Sequence, residues 1–168
     1  MARKKEAGAG ATPGQLRSWM MEHERELASA GIRATEIDHV GIAVRDLEAA
    51  VEQYRMVFGA DPVHREAIES DGVHEALFAV GGSFVQLLAP TGPDTPVGRF
   101  LERRGEGVHH VGYRVPDVTA ALEHLSAHGV VLADQHPRPG SRGTTVAFAH
   151  PKSFFGVLVE LVQEEAAG

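Results

Sequence analysis

The sequence predicts an α+β protein that contains two βαβββ modules. Three observations predict this fold class. A stretch of 14 residues that begins at His39 aligns without a gap with a stretch that begins at His110, and eight positions are identical. In both stretches an alternating apolar run precedes an Asp that can cap a helix. The segments 85–87 (Val-Gln-Leu) and 159–161 (Val-Glu-Leu) then recur at the ends of the two modules.

The first module covers about residues 36–90. Its first strand is followed by a helix that Asp46 caps and that ends at about 58–59. The pair Gly81-Gly82 is typical of a two-residue turn and joins the last two strands as a hairpin. The predicted strands of this module are 37–44, 62–68, 73–80 and 83–89.

The second module covers about residues 107–163 and has the same order of elements. Asp117 caps its helix, which ends at Gly129. The tract 135–143 contains Pro and Gly and is predicted as a loop. The predicted strands of this module are 108–115, 130–133, 144–149 and 157–162.

The segments outside residues 36–164, which we assign to one domain, differ from it in composition. Residues 1–12 are rich in charged and small side chains, which predicts a flexible tail. Apolar residues recur at helical spacing from Pro13 to Ala30 and predict a short amphipathic helix outside the main domain. The extension therefore covers residues 1–35, and residues 165–168 form a second, short tail.

The composition excludes several classes of function. The 168 residues carry a net charge of −7, so no nucleic-acid partner is expected. The chain has no cysteine, which excludes thiolate chemistry, whereas its ten histidines allow a metal site. No apolar run reaches the roughly 20 residues of a membrane helix, and the N-terminus resembles no signal peptide. We expect a soluble cytoplasmic protein without a membrane partner.

Four polar residues occupy equivalent places in the first and last strands of the two modules: His39, Gln86, His110 and Glu160. Because side chains alternate across a strand, each of them points away from the aliphatic residues beside it. A glycine lies two residues after each histidine and leaves open volume. Two imidazoles, a carboxylate and an amide oxygen suit a divalent first-row metal. A single histidine in a strand is more often a packed residue, but the repeat favours a metal site.

Glu75 is predicted to face the same site. With Gly81-Gly82 as the hairpin turn, Leu77 pairs with Gln86. Glu75 then lies diagonally from Gln86 on the same face, roughly 7–8 Å away. It can therefore act on a bound substrate without being a ligand, and the alternative interpretation is an exposed strand glutamate.

The remaining histidines and cations carry weaker predictions. His109 is expected to point to the face opposite His110. The cations Arg138, Arg142 and Lys152 lie in loop-like segments that are either merely polar or a patch for an anionic ligand. Five histidines fall on exposed faces or in loops: His64, His74, His124, His128 and His136.

Several motifs of the chain are similar to those of a known family. They are Ile37-Asp-His-Val-Gly-Ile-Ala-Val, Phe84-Val-Gln-Leu-Leu-Ala-Pro, Gly105-Glu-Gly-Val-His-His-Val-Gly-Tyr-Arg-Val, Pro137-Arg-Pro-Gly, and His150-Pro-Lys-Ser followed by Gly156-Val-Leu-Val-Glu-Leu-Val. Over residues 36–163 they resemble the methylmalonyl-CoA epimerases of the vicinal oxygen chelate, or glyoxalase-like, superfamily. The extension before residue 36 is a departure from the shorter members.

The resemblance implies a cup-shaped mixed sheet of paired modules around a divalent metal, with Co²⁺ as the suggested ion, in a homodimer. It implies interconversion of (2R)- and (2S)-methylmalonyl-CoA. Glu75 matches a glutamate proposed as the catalytic base in some members. The residues that match the metal ligands of the family are His39, Gln86, His110 and Glu160.

The implied chemistry is a proton transfer at C2 of the substrate. Loss of that proton gives an enolate, whose charge a divalent cation stabilises. Inversion needs an acid–base group on each face, and Glu75 and Glu160 are the predicted pair. Glu160 would be both ligand and base, so either it leaves the metal during turnover or another group serves its face. By charge alone, Arg138, Arg142 or Lys152 are the predicted contacts of the CoA phosphates.

Three alternative functions share this scaffold. A glyoxalase I-like isomerase acts on a glutathione adduct, and another epimerase acts on a different acyl-CoA. Activity on methylmalonyl-CoA without activity on a hemithioacetal separates an epimerase from the isomerase. The third alternative is a non-catalytic protein that binds a small ligand. Such proteins commonly lack one or more of the ligands, whereas this sequence retains all four.

Overall fold

The computed structural model describes residues 10–22 and 32–165. It divides the chain into a small N-terminal unit, residues 1–33, and a larger unit, residues 34–168. Parts of the predicted tails and of the predicted N-terminal helix therefore have no structural description. The residues outside the described ranges are 1–9, 23–31 and 166–168.

The N-terminal unit contains helix α1, Pro13–Glu22. Thr12 and Gln15 cap it reciprocally, because Oγ1 of Thr12 lies 3.3 Å from N of Gln15 and Oε1 of Gln15 lies 2.9 Å from N of Thr12. Proline at the first position also favours a helix start. Within the described ranges, no helix is long and apolar enough to cross a lipid bilayer.

The larger unit is built on a mixed sheet of eight strands. The elements of module one are β1 Glu36–Ala43, α2 Leu47–Phe58, β2 His64–Ile68, β3 Val73–Val80 and β4 Ser83–Pro90. Helix α3, Pro96–Arg104, follows module one in the sequence. The elements of module two are β5 Gly107–Arg114, α4 Val118–Ala127, β6 Arg138–Pro139, β7 Thr145–Ala149 and β8 Leu158–Gln163, with 3₁₀ helices at Ser141–Gly143 and Pro151–Ser153.

The sheet has the same strand order on both sides of its centre. From the centre outwards, module one reads β1, β4, β3, β2, and module two reads β5, β8, β7, β6. The central strands β1 and β5 are antiparallel, and each is parallel to the last strand of its own module, β4 or β8. This arrangement confirms the predicted α+β class with two βαβββ modules, and the sheet curls around the candidate site.

The helices of both modules begin at the predicted aspartates. Asp46 accepts a hydrogen bond from N of Ala49 at 3.0 Å at the start of α2. Asp117 accepts one from N of Ala120 at 3.0 Å at the start of α4. Helix α2 ends at Gly59, whose φ of 66° lies in the left-handed region that glycine adopts without steric cost. Both predicted caps are confirmed.

Helix α2 covers one face of module one. Val51 of α2 is fully buried in a cluster with Phe78 of β3 and Leu87 of β4. Because neighbouring side chains of a strand point to opposite faces, Gln86 faces away from this cluster. The packing of α2 thus leaves the other face of the sheet for the polar residues of the candidate site.

The predicted strand over 130–133 is wrong. Leu132 forms an isolated bridge with β7. The next two backbone amides, of Ala133 and Asp134, both donate to the carbonyl of Phe148, so the ladder does not continue regularly. Strand β6 forms instead within the tract predicted as a loop. It has two residues and lies at the sheet edge, which is where a strand that contains proline is tolerated.

Helix α3 has no counterpart among the predicted elements, although its signals are in the sequence. Oγ1 of Thr95 accepts a hydrogen bond from N of Gly98 at 3.0 Å. Pro96 occupies the first turn, and the helix ends at Gly105, which has a φ of 75°. Val97 of α3 is buried against the face of module one that α2 leaves open. The helix therefore closes one side of the candidate site.

Candidate active site

A β-bulge in strand β1 places Asp38 beside His39. Ile37 pairs with Tyr113, and His39 pairs with Gly112, so Asp38 is an extra residue in the ladder between β1 and β5. A bulge interrupts the alternation of side chains along a strand. Nδ1 of His39 consequently lies 2.7 Å from Oδ1 of Asp38, its neighbour in the sequence.

Strand β5 has a matching bulge at His109. Gly41 pairs with His110, and Ile42 pairs with Val108, which leaves His109 as the extra residue. His109 lines the same cavity as His110, and their Nδ1 atoms lie 3.0 Å apart. The prediction that His109 points to the opposite face is therefore wrong, because the bulge breaks the alternation on which it depended.

The two histidines and Glu160 meet at one point of the sheet. Nε2 of His39 lies 2.8 Å from Oε2 of Glu160, and Nε2 of His110 lies 3.1 Å from the same oxygen. The two Nε2 atoms are 2.9 Å apart. All three residues are buried. Among the described residues, these three form a group whose ligand atoms all lie within 4.8 Å of one another.

Two glycines make room for the imidazoles. A Cβ atom on Gly41 would lie 2.3 Å from Cε1 of His110, and a Cβ atom on Gly112 would lie 2.5 Å from Cε1 of His39. Each ring therefore lies over the glycine of the opposite central strand, not over the glycine of its own strand. A side chain at either position would displace a ring.

Gln86 completes the donor set. It is buried and lines the cavity, and its Nε2 donates to Oε2 of Glu75 at 2.6 Å. Its Oε1 is buried and has no hydrogen-bond partner among the described residues, which is costly unless a further group binds there. Two imidazoles, a carboxylate and a free amide oxygen have the chemistry that a divalent first-row cation requires. The residues present thus fit such a cation.

Glu75 lies next to these donors and is 1% exposed. Leu77 pairs with Gln86, so the predicted hairpin register is confirmed. The hydroxyl of Ser141 donates to Oε1 of Glu75. Burial raises the pKa of Glu75 above its ordinary value, although the hydrogen bonds from Ser141 and Gln86 oppose the rise. His64, predicted to face solvent, is half-buried, with Nε2 at 3.7 Å from Oε1 of Glu75.

Asp38 is the most highly connected carboxylate near the site, and it is fully buried. Arg114 donates to its Oδ2 at 2.8 Å, and Arg142 donates to its Oδ1 at 2.7 Å. Burial alone would raise the pKa of Asp38, but the hydrogen bonds from His39 and Arg114 and the charge of Arg142 lower it to about 2. Asp38 is therefore an anion that holds one nitrogen of His39.

At the contact between His39 and Glu160, the proton belongs to His39. Burial alone would lower the pKa of His39, but its hydrogen bonds to Asp38 and Glu160 raise that pKa to about 9. Hydrogen bonds from both imidazoles hold the pKa of Glu160 well below its usual range despite burial. Metal binding at these atoms requires the release of the proton between them.

The predicted cations differ in their placement. Arg138 lines the cavity and pairs with Asp71 at 2.9 Å. Arg142 also lines the cavity, but its guanidinium already pairs with Asp38. The backbone of Arg142 is left-handed, with a φ of 59°, which costs about 1–3 kcal/mol for a residue other than glycine. Lys152 is exposed and lies outside the cavity lining.

Comparison with known proteins identifies the family. A family model described as the glyoxalase/bleomycin resistance protein/dioxygenase superfamily matches residues 38–148. The ethylmalonyl-CoA/methylmalonyl-CoA epimerase of Cereibacter sphaeroides is 40% identical over 129 residues, which are 76% of this chain and 96% of that protein. A solved methylmalonyl-CoA epimerase, in complex with methylmalonyl-CoA and NH4+, is 44% identical, with a TM-score of 0.75 over 80% of this chain and 97% of that one.

This chain belongs to the methylmalonyl-CoA epimerase family. A substituted form of the Streptomyces coelicolor methylmalonyl-CoA epimerase, solved with 2-nitronate-propionyl-CoA, is also similar. It is 42% identical with a TM-score of 0.75, over 80% of this chain and 98% of that one. The predicted family and the predicted enzyme class, an isomerase, are confirmed.

In this member of the epimerase family, sequence reasoning missed three residues of the site: Asp38, His109 and Ser141. A signal for Asp38 was present, since a charged residue interrupts an otherwise apolar strand beside a candidate ligand. His109 was seen but assigned to the wrong face. The sequence carries no comparable signal for Ser141, which lies in a tract predicted as a polar loop.

Proposed function

We propose that this protein interconverts (2R)- and (2S)-methylmalonyl-CoA by moving a proton at C2, and that the reaction depends on a divalent metal. The observation that carries the proposal is the position of Glu75. This carboxyl group is buried in contact with Gln86, beside the cluster of His39, His110 and Glu160. Family membership supports the reaction, and the donor set supports the metal.

The proposed metal ligands are Nε2 of His39, Nε2 of His110, Oε1 of Gln86 and a carboxylate oxygen of Glu160. Donors of this kind accept several first-row ions, and we propose Co²⁺ from the resemblance to the family. When bound, the cation would supply Lewis-acid stabilisation of the negative charge on the oxygens of a substrate that has lost its C2 proton.

Glu75 is the proposed base on one face of the substrate. The hydroxyl of Ser141 and Nε2 of Gln86 each donate to a different oxygen of Glu75, so the orientation of the carboxylate is fixed. Each oxygen keeps acceptor capacity for a proton from C2. A raised pKa makes the carboxylate a stronger base and allows it to hold that proton while the group on the other face protonates C2.

Glu160 is the proposed acid–base group on the other face. Both imidazoles contact its Oε2, and Oε1 makes neither of these two contacts. A carboxylate can thus contact the metal site through one oxygen and exchange a proton through the other. We propose Oε1 of Glu160 as the proton-transfer atom, so that the residue need not leave the metal during turnover.

The cavity of about 270 Å³ around these groups is suited to charge stabilisation. Its lining includes Leu88, Val146 and Phe148 beside the polar donors. Apolar walls lower the local dielectric and strengthen the electrostatic interactions inside. Arg138 at the cavity and exposed Lys152 remain proposed contacts of CoA phosphates. For Arg142 the pairing with Asp38 favours a role in positioning His39 instead.

Two further properties stay predictions. A homodimer and a cytoplasmic location follow from the resemblance and from the composition. Neither bears on the proposed proton transfer. Size-exclusion chromatography with light scattering tests the first, and localisation of a tagged protein tests the second.

A substrate panel tests the proposed reaction. Protein freed of metal, the same protein with Co²⁺, and His110→Ala with Co²⁺ are each given (2R)-methylmalonyl-CoA, ethylmalonyl-CoA, or the hemithioacetal of methylglyoxal and glutathione. We expect the wild-type protein with Co²⁺ to convert (2R)- to (2S)-methylmalonyl-CoA. The rate should be at least 100-fold lower in the metal-free protein and in His110→Ala with Co²⁺. Turnover of the hemithioacetal without turnover of methylmalonyl-CoA would contradict the proposal, and so would full epimerase activity without metal.

Ethylmalonyl-CoA is included because the Cereibacter sphaeroides relative is named for both substrates. It is the second candidate substrate of this chain. A kcat/KM on ethylmalonyl-CoA within about 10-fold of that on methylmalonyl-CoA would assign both. A kcat/KM on ethylmalonyl-CoA that is lower by more than about 10-fold would restrict the enzyme to the smaller alkyl group, because one methylene changes binding by roughly 10- to 200-fold.

A further inference from the structure

The bulges of β1 and β5 lie at equivalent positions of the internal repeat. Asp38 directly precedes His39 in module one, and His109 directly precedes His110 in module two. Each of these two residues is the extra one in its strand, and each contacts the ring of the histidine that follows it. In both modules, the bulge residue thus contacts the ring of the proposed histidine ligand that directly follows it.

The ring atoms involved are the same in both modules. His39 and His110 both direct Nε2 towards Oε2 of Glu160. Their other ring nitrogen, Nδ1, meets the preceding residue, Oδ1 of Asp38 at 2.7 Å or Nδ1 of His109 at 3.0 Å. A hydrogen bond between two ring nitrogens requires one proton between them. If Nε2 of His110 binds a metal, that proton must belong to Nδ1 of His110.

We infer that His109 is a positioning residue whose unprotonated Nδ1 accepts the Nδ1–H of His110 and thereby leaves Nε2 of His110 free to bind the metal. This inference rests on the proposed metal-dependent function. His109 would then accept the Nδ1–H of His110 in module two, as Asp38 accepts that of His39 in module one.

The surroundings of His109 hold its ring in this position. The ring packs edge-on against Phe100 of α3, with ring centroids 5.0 Å apart, and edge-on against His110 at 5.3 Å. The two partners differ in charge. Arg114 and Arg142 donate to Asp38 and balance its carboxylate. His109 packs against an apolar ring, a setting in which a neutral imidazole is stable and a carboxylate is not.

Metal binding by three variants and the wild-type protein tests the inference. His109→Phe keeps an aromatic ring against Phe100 but removes the acceptor. His109→Asn restores an acceptor, because Oδ1 of Asn lies near the place of Nδ1 of His. His136→Phe is the matched control, since His136 is exposed and lies outside the cavity lining. Each protein is freed of metal, checked for folding by circular dichroism, and titrated with Co²⁺ in competition with a chelator.

We expect His109→Phe to bind Co²⁺ about 10- to 100-fold more weakly than wild type, with a changed visible absorption band of the bound ion. His109→Asn should bind within about threefold of wild type, and His136→Phe should not differ. Equal affinity in His109→Phe and wild type would overturn the inference. A His109→Asn variant that binds Co²⁺ as weakly as His109→Phe would also overturn the inference, because restoring the acceptor would then not restore binding.

A second measurement needs no variant. In the ¹⁵N spectrum of the Zn²⁺-loaded wild-type protein, we expect the Nδ1–H form of His110 and the Nε2–H form of His109. The Nδ1–H form of His109 would overturn the inference even if a variant failed to fold. Failure of the wild-type protein to bind any divalent ion would overturn the proposed metal dependence together with this inference. A normal wild-type affinity with an unaffected His109→Phe would overturn this inference only.

Discussion

Asp38 contacts both a proposed metal ligand and two arginines. Its buried carboxylate lies between His39 on one side and the guanidinium groups of Arg114 and Arg142 on the other. A carboxylate behind a ligating imidazole fixes the ring and its tautomer and makes the ring a better donor. The two arginines keep this anion stable in a buried position.

We expect Asp38→Asn to weaken Co²⁺ binding by about 10- to 100-fold. The amide oxygen can still accept from His39, but it lacks the charge that strengthens the imidazole as a ligand. Isothermal titration calorimetry of the metal-free variant measures the change. Glu36→Gln is the matched control, because Glu36 also pairs with Arg114, at 3.0 Å, but is exposed. An Asp38→Asn affinity equal to that of the control would contradict the assigned role.

Single residues were predictable from the sequence where a repeat or a register fixed them. The repeat singled out His39 and His110, and the structure brings them together with Glu160. Hairpin arithmetic placed Glu75 near Gln86, because a two-residue turn determines every pair above it. The role of His109 was not predictable, since strict alternation gives no sign of a bulge.

The central strands bring two glycines against the proposed ligands. Gly112 of β5 lies beneath the ring of His39, and Gly41 of β1 lies beneath the ring of His110. The cross-strand register places them there, and it depends on both bulges. The pairing of β1 with β5 thus sets the positions of both imidazoles.

We expect Gly112→Ala to weaken Co²⁺ binding at least 10-fold, since the new methyl group would lie 2.5 Å from Cε1 of His39 and displace the ring. Overpacking of this kind also destabilises a fold by about 1–3 kcal/mol. Metal titration and urea unfolding measure the two effects. Gly82→Ala is the control, because its Cβ would meet only Oε2 of the exposed Glu36, at 3.7 Å. Wild-type affinity in Gly112→Ala would contradict the account.

Whole elements were predictable where periodicity and caps agreed. The strand predicted over 73–80 has those bounds in the structure, and the helices after Asp46 and Asp117 are present. The segment 130–133 is apolar enough for a strand, but it pairs with β7 only through the isolated bridge between Leu132 and Ala149. Helix α3 was missed because its apolar residues are few and its signals are the flanking Thr95 and Gly105.

The candidate site joins the two modules of the protein. Module one supplies His39 and Gln86, and module two supplies His110 and Glu160. Gln86 and Glu160 come from β4 and β8, the strands that flank the central pair. A ligand bound by all four residues therefore stabilises the folded state of both modules and not the unfolded chain.

We expect removal of metal to lower the thermal stability of the protein. At a Co²⁺ concentration of 100 times Kd, binding adds about 2.7 kcal/mol, which corresponds to a rise in Tm of roughly 5–11 °C for a domain of this size. Differential scanning calorimetry with Co²⁺ and with a chelator measures the shift. His110→Ala should show little of it. A Tm that does not respond to any divalent ion would contradict a site shared by both modules.

Exchange of the C2 hydrogen reports directly on the proposed proton transfer. Each epimer of methylmalonyl-CoA is incubated separately in D₂O with Co²⁺-loaded wild-type protein, metal-free protein, or Co²⁺-loaded Glu75→Gln, and mass spectrometry follows deuterium at C2. We predict metal-dependent exchange of both epimers in the wild-type protein. In Glu75→Gln we predict at least a 100-fold loss of exchange for the epimer whose C2 hydrogen faces position 75, because an amide cannot act as the base. Exchange of both epimers by Glu75→Gln at the wild-type rate, or equal exchange by the loaded and metal-free proteins, would contradict the proposed mechanism.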